Sequence, residues 1–145
     1  MFLWHCEQTS LPKEVLDCGA GGEHPPLALF RARGYRTVGL ELDPRCLEEA
    51  EEYCRASGVE LGIELGDMRS IPFEDESFSF VYSYNAVSFM VKEDIRQSVS
   101  EMCRVLRPSG LCYVNLMSVD DEEERDRRLR GSEVGRAVRL ESAAG

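Results

Sequence analysis

Glu14-Val15-Leu16-Asp17-Cys18-Gly19-Ala20-Gly21-Gly22 is the stretch that decides the fold of this chain. Its first five residues read as a buried strand, and the glycines read as a tight turn leading into a helix. Pro25 and Pro26 suit a helix start and Gly34 a helix end, which predicts a helix over about 25–33. Outward from there, Thr37 to Leu42 reads as a second strand. Asp43-Pro44 is an N-cap followed by proline in the first helical turn. Cys46, Leu47, Ala50, Tyr53 and Cys54 then recur at helical spacing, with glutamates between them, until Ser57-Gly58. Val59 to Leu65 alternates as a third strand. Phe78 to Tyr84 is a fourth, rich in aromatic and β-branched residues. Ile95, Val99, Met102 and Leu106 mark the stripe of a further helix that Pro108 and Gly110 terminate, and Leu111 to Met117 reads as a fifth strand. Strands alternating with helices predict an α/β fold: a doubly wound, mostly parallel sheet with helices on both faces.

The chain has 145 residues, one domain's worth, with 17 basic and 27 acidic side chains for a formal charge of −10. With 43% hydrophobic residues it has the material for a small core. No run approaches the roughly 18 apolar residues of a membrane span. The N-terminus lacks the basic and apolar regions of a signal peptide, and His5 is expected in a mobile terminus. The acidic balance argues against nucleic acid as a partner. The six cysteines contain no C-x-x-C pair and are expected as free thiols in a reducing cytoplasm. After Ser118 the composition shifts: Asp120 to Arg128 is charged throughout. The expected organisation is a domain over 1–118 and a charged helix or tail over 119–145.

In an open parallel sheet, ligands bind beyond the C-terminal ends of the strands, where the strand order reverses. Past strand one, Gly19 and Gly21 let the backbone approach a ligand closely. Past strand two, Glu41 stands about 20 residues after the glycines, where an acidic side chain accepts from both hydroxyls of a ribose. Past strand three, Asp67 is suited to accept from an exocyclic amine, and Leu42 and Met68 to sandwich a flat base by dispersion. Past strand four, Tyr84 and Asn85 face the remaining end of the site, while Met90 reads as core. The pattern describes a nucleoside site with a charged group near the glycines.

Two cofactors have that shape. A dinucleotide fingerprint requires a third glycine at position 24, where this chain has His24. Asp17, immediately beside the glycine turn, would repel a pyrophosphate but attract an ammonium group. The electrostatics favour the amino-acid end of S-adenosylmethionine over a nicotinamide dinucleotide. No residue stands out as a catalytic base, and no metal-ligand spacing is evident.

Four ordered blocks carry a family resemblance. Val15 to Gly22 is similar to hydrophobic-L-D-x-G-x-G-x, and Val38 to Pro44 resembles the following acidic motif. Gly66 to Phe78 resembles G-D-x-x-x-hydrophobic-P-F-x-D-x-S-F, and Glu101 to Leu111 resembles E-x-x-R-V-L-K-P-G-G-x. The chain resembles the class I S-adenosylmethionine-dependent methyltransferases, which implies a Rossmann-like sheet. It also implies methyl transfer to a small-molecule acceptor, with Asp17, Gly19, Gly21, Glu41, Leu42, Asp67, Met68 and Tyr84 around the cofactor. Two positions depart from the pattern: Ser79 replaces an aspartate, and Ser109 replaces one of two glycines. The antiparallel pair with which the family usually closes its sheet is not identifiable in 119–145. That leaves open a cofactor-binding protein without turnover, or a shortened methyltransferase, and an exposed fifth strand predicts a homodimer through the sheet edge.

Overall fold

The computed structural model of the chain describes residues 1–116. The elements are α1 (Phe2–Glu7), β1 (Glu14–Cys18), α2 (Leu27–Ala32), β2 (Arg36–Glu41), α3 (Pro44–Ser57), β3 (Ile63–Leu65) and β4 (Phe78–Ser83). A 3-10 turn (Val87–Phe89), α4 (Lys92–Val105) and β5 (Leu106–Val114) follow. All pairings are parallel and the strand order is β3-β2-β1-β4-β5. This is the Rossmann-like α/β sheet that the alternation predicts. Among the described residues no helix is long and apolar enough to cross a membrane. The charged segment expected at 119–145 lies outside the described residues, and the fifth strand, expected to run to Met117, ends at Val114.

β1 is the central strand, and its successive side chains feed two cores because the strand period is two. Leu16 and Cys18 join Leu40, Phe78, Val81, Met102 and Val105 on the α4 side. Val15 joins Leu27, Phe30, Tyr35, Leu61, Phe80 and Tyr82 on the side of α1, α2 and α3. Both faces are covered, so β1 and β4 are buried along almost their whole length. Each fully buried Leu, Val or Phe contributes roughly 1.5–3 kcal/mol by leaving water.

The helix boundaries follow local chemistry. Asp43 caps α3 by accepting a hydrogen bond from Arg45 N, Pro44 occupies the first turn, and Gly58 ends the helix in a left-handed conformation.

Three expectations are corrected. The N-terminus is not mobile: Phe2–Glu7 is helical, Cys6 is buried, and Phe2 stacks on Tyr113 and packs against Phe30 and Tyr82. A single helical turn and a half carries too little periodicity to read, and its order comes from that aromatic packing. The third strand is shorter than its alternation suggests, because Gly62 at φ +69° takes the chain out of extended geometry before Ile63. Finally, α4 ends at Val105 and β5 begins at once, with Pro108-Ser109-Gly110 inside the strand rather than between elements. The register jumps from Phe78↔Leu106 to Phe80↔Leu111, so these residues form a bulge. Ser109 sits there at φ +64°, a conformation that costs a non-glycine residue about 1–2 kcal/mol. Ser79, the other departure, is fully buried and its hydroxyl accepts from Arg107 Nη1 at 3.2 Å.

Candidate functional site

The strand order reverses at β1: β2 and β3 lie to one side of it, β4 and β5 to the other. The loops that leave β1, β2, β3 and β4 therefore converge at one end of the sheet, the end at which an open parallel sheet takes its ligands.

The glycine turn after β1 is held by its neighbours. Gly19 N and Ala20 N both donate to Leu40 O, at 2.8 and 3.0 Å, and Gly22 N donates to Cys46 O at 2.8 Å. A Cβ on Gly19 would collide with Ala86 Cβ in the loop after β4, and the Met68 methyl lies 3.7 Å from the same point. A Cβ on Gly21 would stand 2.6 Å from Glu41 Oε2 and 2.8 Å from Cys46. Both glycines are needed for close approach, one to the β4 loop and one to the carboxylate after β2.

Glu41 bridges two loops. Its Oε2 accepts from Gly21 N at 2.8 Å and its Oε1 from Asp43 N at 2.9 Å, so the carboxylate ties the turn after β1 to the start of α3. Each oxygen keeps a lone pair for another donor. Leu42, next along, is an exposed apolar side chain, 55% open to solvent. Tyr84 is 54% exposed at the far side. Beside it Asn85, at φ +58°, is clasped by Asn115 beyond β5, which accepts from Asn85 N at 2.7 Å and donates to its side chain. Met90 packs against the core, as expected.

Asp17 stands apart in character. It is 1% exposed, and neither carboxyl oxygen has a hydrogen-bond partner. Burial pushes its pKa up to about 7, with the charge of Glu41 adding to the effect. The Tyr82 hydroxyl, its register partner on β4, lies beside it and opposes the rise, but it does not reach hydrogen-bonding geometry and is itself unpartnered. Burial and the Asp17 charge push the Tyr82 phenol well above its ordinary value. An orphaned acid one residue from a glycine cradle is a group arranged for a cationic ligand rather than for the empty fold.

Asp67 has a different environment. Its carboxylate accepts from Arg69 N (2.9 Å), Arg69 Nε (3.0 Å to each oxygen) and Arg69 Nη2 (2.6 Å). That guanidinium holds its carboxyl below the ordinary range. Met68 is 7% exposed.

Of the residues expected to form the site, Gly21 is tied to Glu41, Met68 lies near Gly19 and Asp17 feels the charge of Glu41, whereas Asp67, Leu42 and Tyr84 share this end of the sheet only through the strands they follow. Tyr82, Ala86 and Arg69 belong to it as well. Tyr82 and Ala86 lacked any sequence signal, because β1–β4 register brings in the one and the loop after β4 the other. Arg69, two residues past Asp67, carried the signal of a side-chain turn.

A doubly wound α/β domain with an unpartnered, buried carboxyl beside its glycine turn is the class that fold and site define. A family described as "Methyltransferase domain" matches residues 16–114, and this chain belongs to that family. Among relatives, it is 32% identical to a sterol 24-C-methyltransferase of Debaryomyces hansenii, over 94% of this chain and 38% of that protein. It is 33% identical to methyltransferase GfsG of Streptomyces halstedii, over 67% of this chain and 35% of that protein. The crystal structure of the YcgJ protein of Bacillus subtilis superposes with a TM-score of 0.64 at 27% identity, covering 77% of this chain and 47% of that one. The chain therefore spans less than half the length of these relatives. Family membership makes S-adenosylmethionine the cofactor, and the residues suit it: the orphaned Asp17 would face its cationic end.

Proposed function

We infer that this chain binds S-adenosylmethionine across the ends of β1 to β4 and moves its methyl group to a small-molecule acceptor. The buried, unpartnered Asp17 carboxyl beside a glycine turn that Glu41 ties down is the observation that carries this reading. When bound, the sulfonium supplies an activated methyl group and departs as a neutral thioether. The protein's part is then placement. Asp17 balances the ammonium charge, the turn at Gly19 and Gly21 presents its backbone to the amino-acid chain, and Glu41 takes the ribose hydroxyls. Asp67 takes the adenine amine, with Leu42 and Met68 against the base. Tyr84 borders both the cofactor and the acceptor's approach. Holding two reactants in line is worth several kcal/mol of barrier, and a base is required only when the acceptor carries a proton. A small-molecule acceptor agrees with the sterol enzyme among the relatives. The six free thiols suit a reducing compartment, the cytoplasm.

S-Adenosylhomocysteine at about 100 times its Kd is expected to stabilise the fold by roughly 2.7 kcal/mol, a melting shift of roughly 5–11 °C for a domain of this size. No shift with either S-adenosylmethionine or S-adenosylhomocysteine would sink the cofactor reading. Binding without turnover on any acceptor would leave a binding protein instead.

β5 ends the sheet among the described residues, and its outer edge presents unpaired backbone groups. Two copies pairing along β5 would satisfy them. Light scattering should then return twice the 16.4 kDa chain mass, and a monomer at micromolar concentration would refute the pairing.

A further inference from the structure

Building on the cofactor reading above and going beyond it, we propose that Tyr82 is a positioning residue for the cofactor's ammonium end. Its buried hydroxyl is the donor that Asp17 takes up when the carboxyl becomes an anion.

Asp17 and Tyr82 are register partners on the neighbouring parallel strands β1 and β4. Their side chains leave the sheet on the same face, from strands about 4.8 Å apart. Both are sealed from water, at 1% and 3% exposure. Neither carboxyl oxygen of Asp17 has a hydrogen-bond partner, and nor has the hydroxyl of Tyr82. A buried hydroxyl that serves only the fold has an acceptor, and leaving it without one is costly. Two such orphans side by side are complementary: one is an acid, the other the donor that its anion lacks.

The rest of the tyrosine is fixed. Its ring stacks on Phe30, with centroids 5.4 Å apart and planes 19° from parallel, and packs against Phe2 at 5.7 Å. Burial and the Asp17 charge hold the phenol well above its ordinary value, so it keeps its proton when Asp17 loses its own. The other ionisable groups around the pair are Glu41 at the end of β2, Cys18 beside Asp17 on β1 and Cys6 on α1. None of them is a cation. Among the described residues, Tyr82 is therefore the group that favours the Asp17 anion, and the balancing positive charge comes with the ligand.

A hydrogen bond to an ionised acceptor is roughly twice as strong as one to a neutral group. The phenol thus favours the charged carboxyl over the neutral one, and the charged form is what an ammonium requires. On binding, the ligand's ammonium keeps its protons and the Asp17 proton passes to solvent. Tyr82 makes that release easier.

The experiment measures Kd for S-adenosylhomocysteine by calorimetry from pH 6 to pH 8.5 in wild type, Y82F, D17N and the double variant. Wild-type affinity should fall as pH drops through about 7, where burial places the Asp17 carboxyl. Y82F keeps the ring and should move that midpoint up by about one unit. Its deficit is then on the order of tenfold at pH 6 and closes toward pH 8.5, while the remaining ionisable groups are common to both proteins and cancel in the ratio. In the D17N background the same change should leave affinity unaltered at every pH. Y82M, which also lacks the hydroxyl, serves if Y82F does not fold. A deficit of equal size at every pH, or one that persists in the D17N background, would make Tyr82 merely structural and overturn the proposal. A Y82F profile that matches wild type would overturn it as well. So would wild-type affinity that is flat across this range, while leaving the cofactor reading intact. Wild type that binds the ligand at no pH would remove the cofactor reading itself, and this proposal with it.

Discussion

Replacing Asp17 by Asn should make the unliganded chain more stable above pH 7 and at the same time weaken its hold on S-adenosylhomocysteine. The carboxyl is buried without a partner, and its pKa rises from 3.8 to about 7 on folding. The folded chain therefore holds this proton more tightly than the unfolded chain. The sign follows: stability is fully present below about pH 4, falls as pH rises toward 7, and stays low above it. The displacement corresponds to about 4 kcal/mol, an upper figure because the asparagine amide inherits the same unpartnered site. Glu41 on β2 and Tyr82 on β4 face this group, and both remain in the variant, so the lost slope with pH belongs to Asp17 alone. Denaturant midpoints at pH 5 and pH 8 should differ in wild type and converge in D17N. Affinity for S-adenosylhomocysteine at pH 8 should fall tenfold or more, the worth of a charge-assisted interaction. If D17N gains no stability at pH 8, the buried charge is not the liability inferred here; undiminished affinity would detach Asp17 from the ammonium.

Glu41→Ala should have the largest effect on binding. Its carboxylate serves two masters in the fold, Gly21 N and Asp43 N, and is assigned the ribose hydroxyls in the complex. Removing it leaves two part-buried N–H groups without acceptors, at about 1–3 kcal/mol if both stay dry. It also slackens the turn that the ligand must pass. Calorimetry should show Kd rising on the order of a hundredfold, with a loss of a few degrees in Tm. Glu41→Gln, which keeps one acceptor oxygen, should restore the Tm more fully than the affinity. A Kd within threefold of wild type in E41A would rule out the ribose role.

The glycine turn was legible because a ligand-bearing turn needs residues without side chains at fixed places, and Gly19 and Gly21 stand there. Glu41 was legible by its distance along the chain, which in a parallel βαβ unit translates into position at the neighbouring strand end. Helix α3 was legible from Asp43-Pro44 and the spacing of its apolar residues. What escaped notice depended on contacts between distant segments. The pairing of Asp17 with Tyr82 is a matter of register between β1 and β4. The collision that forces glycine at position 19 comes from Ala86. The hold of Asp94 on Arg69 spans 25 residues with no local pattern to mark it. α1 was missed because six residues carry less than two turns of periodicity, and Phe2 is ordered by aromatic rings far along the chain.

Ser83, at the end of β4, donates its buried hydroxyl to Cys18 O at 2.7 Å across 65 residues of chain. β1 can find β2 early, since the two are joined by one short helical crossover. It cannot find β4 until everything between has emerged and a long loop has closed, which is entropically slower. Asp17 and Gly19 lie on that second seam. A half-folded chain holding only β1, β2 and β3 would have the glycine turn and Glu41 but no Tyr82 to cover Asp17 and no Ala86 against Gly19. The site is thus complete only once β4 has joined β1, and a ligand that binds it selects for chains in which that seam has formed.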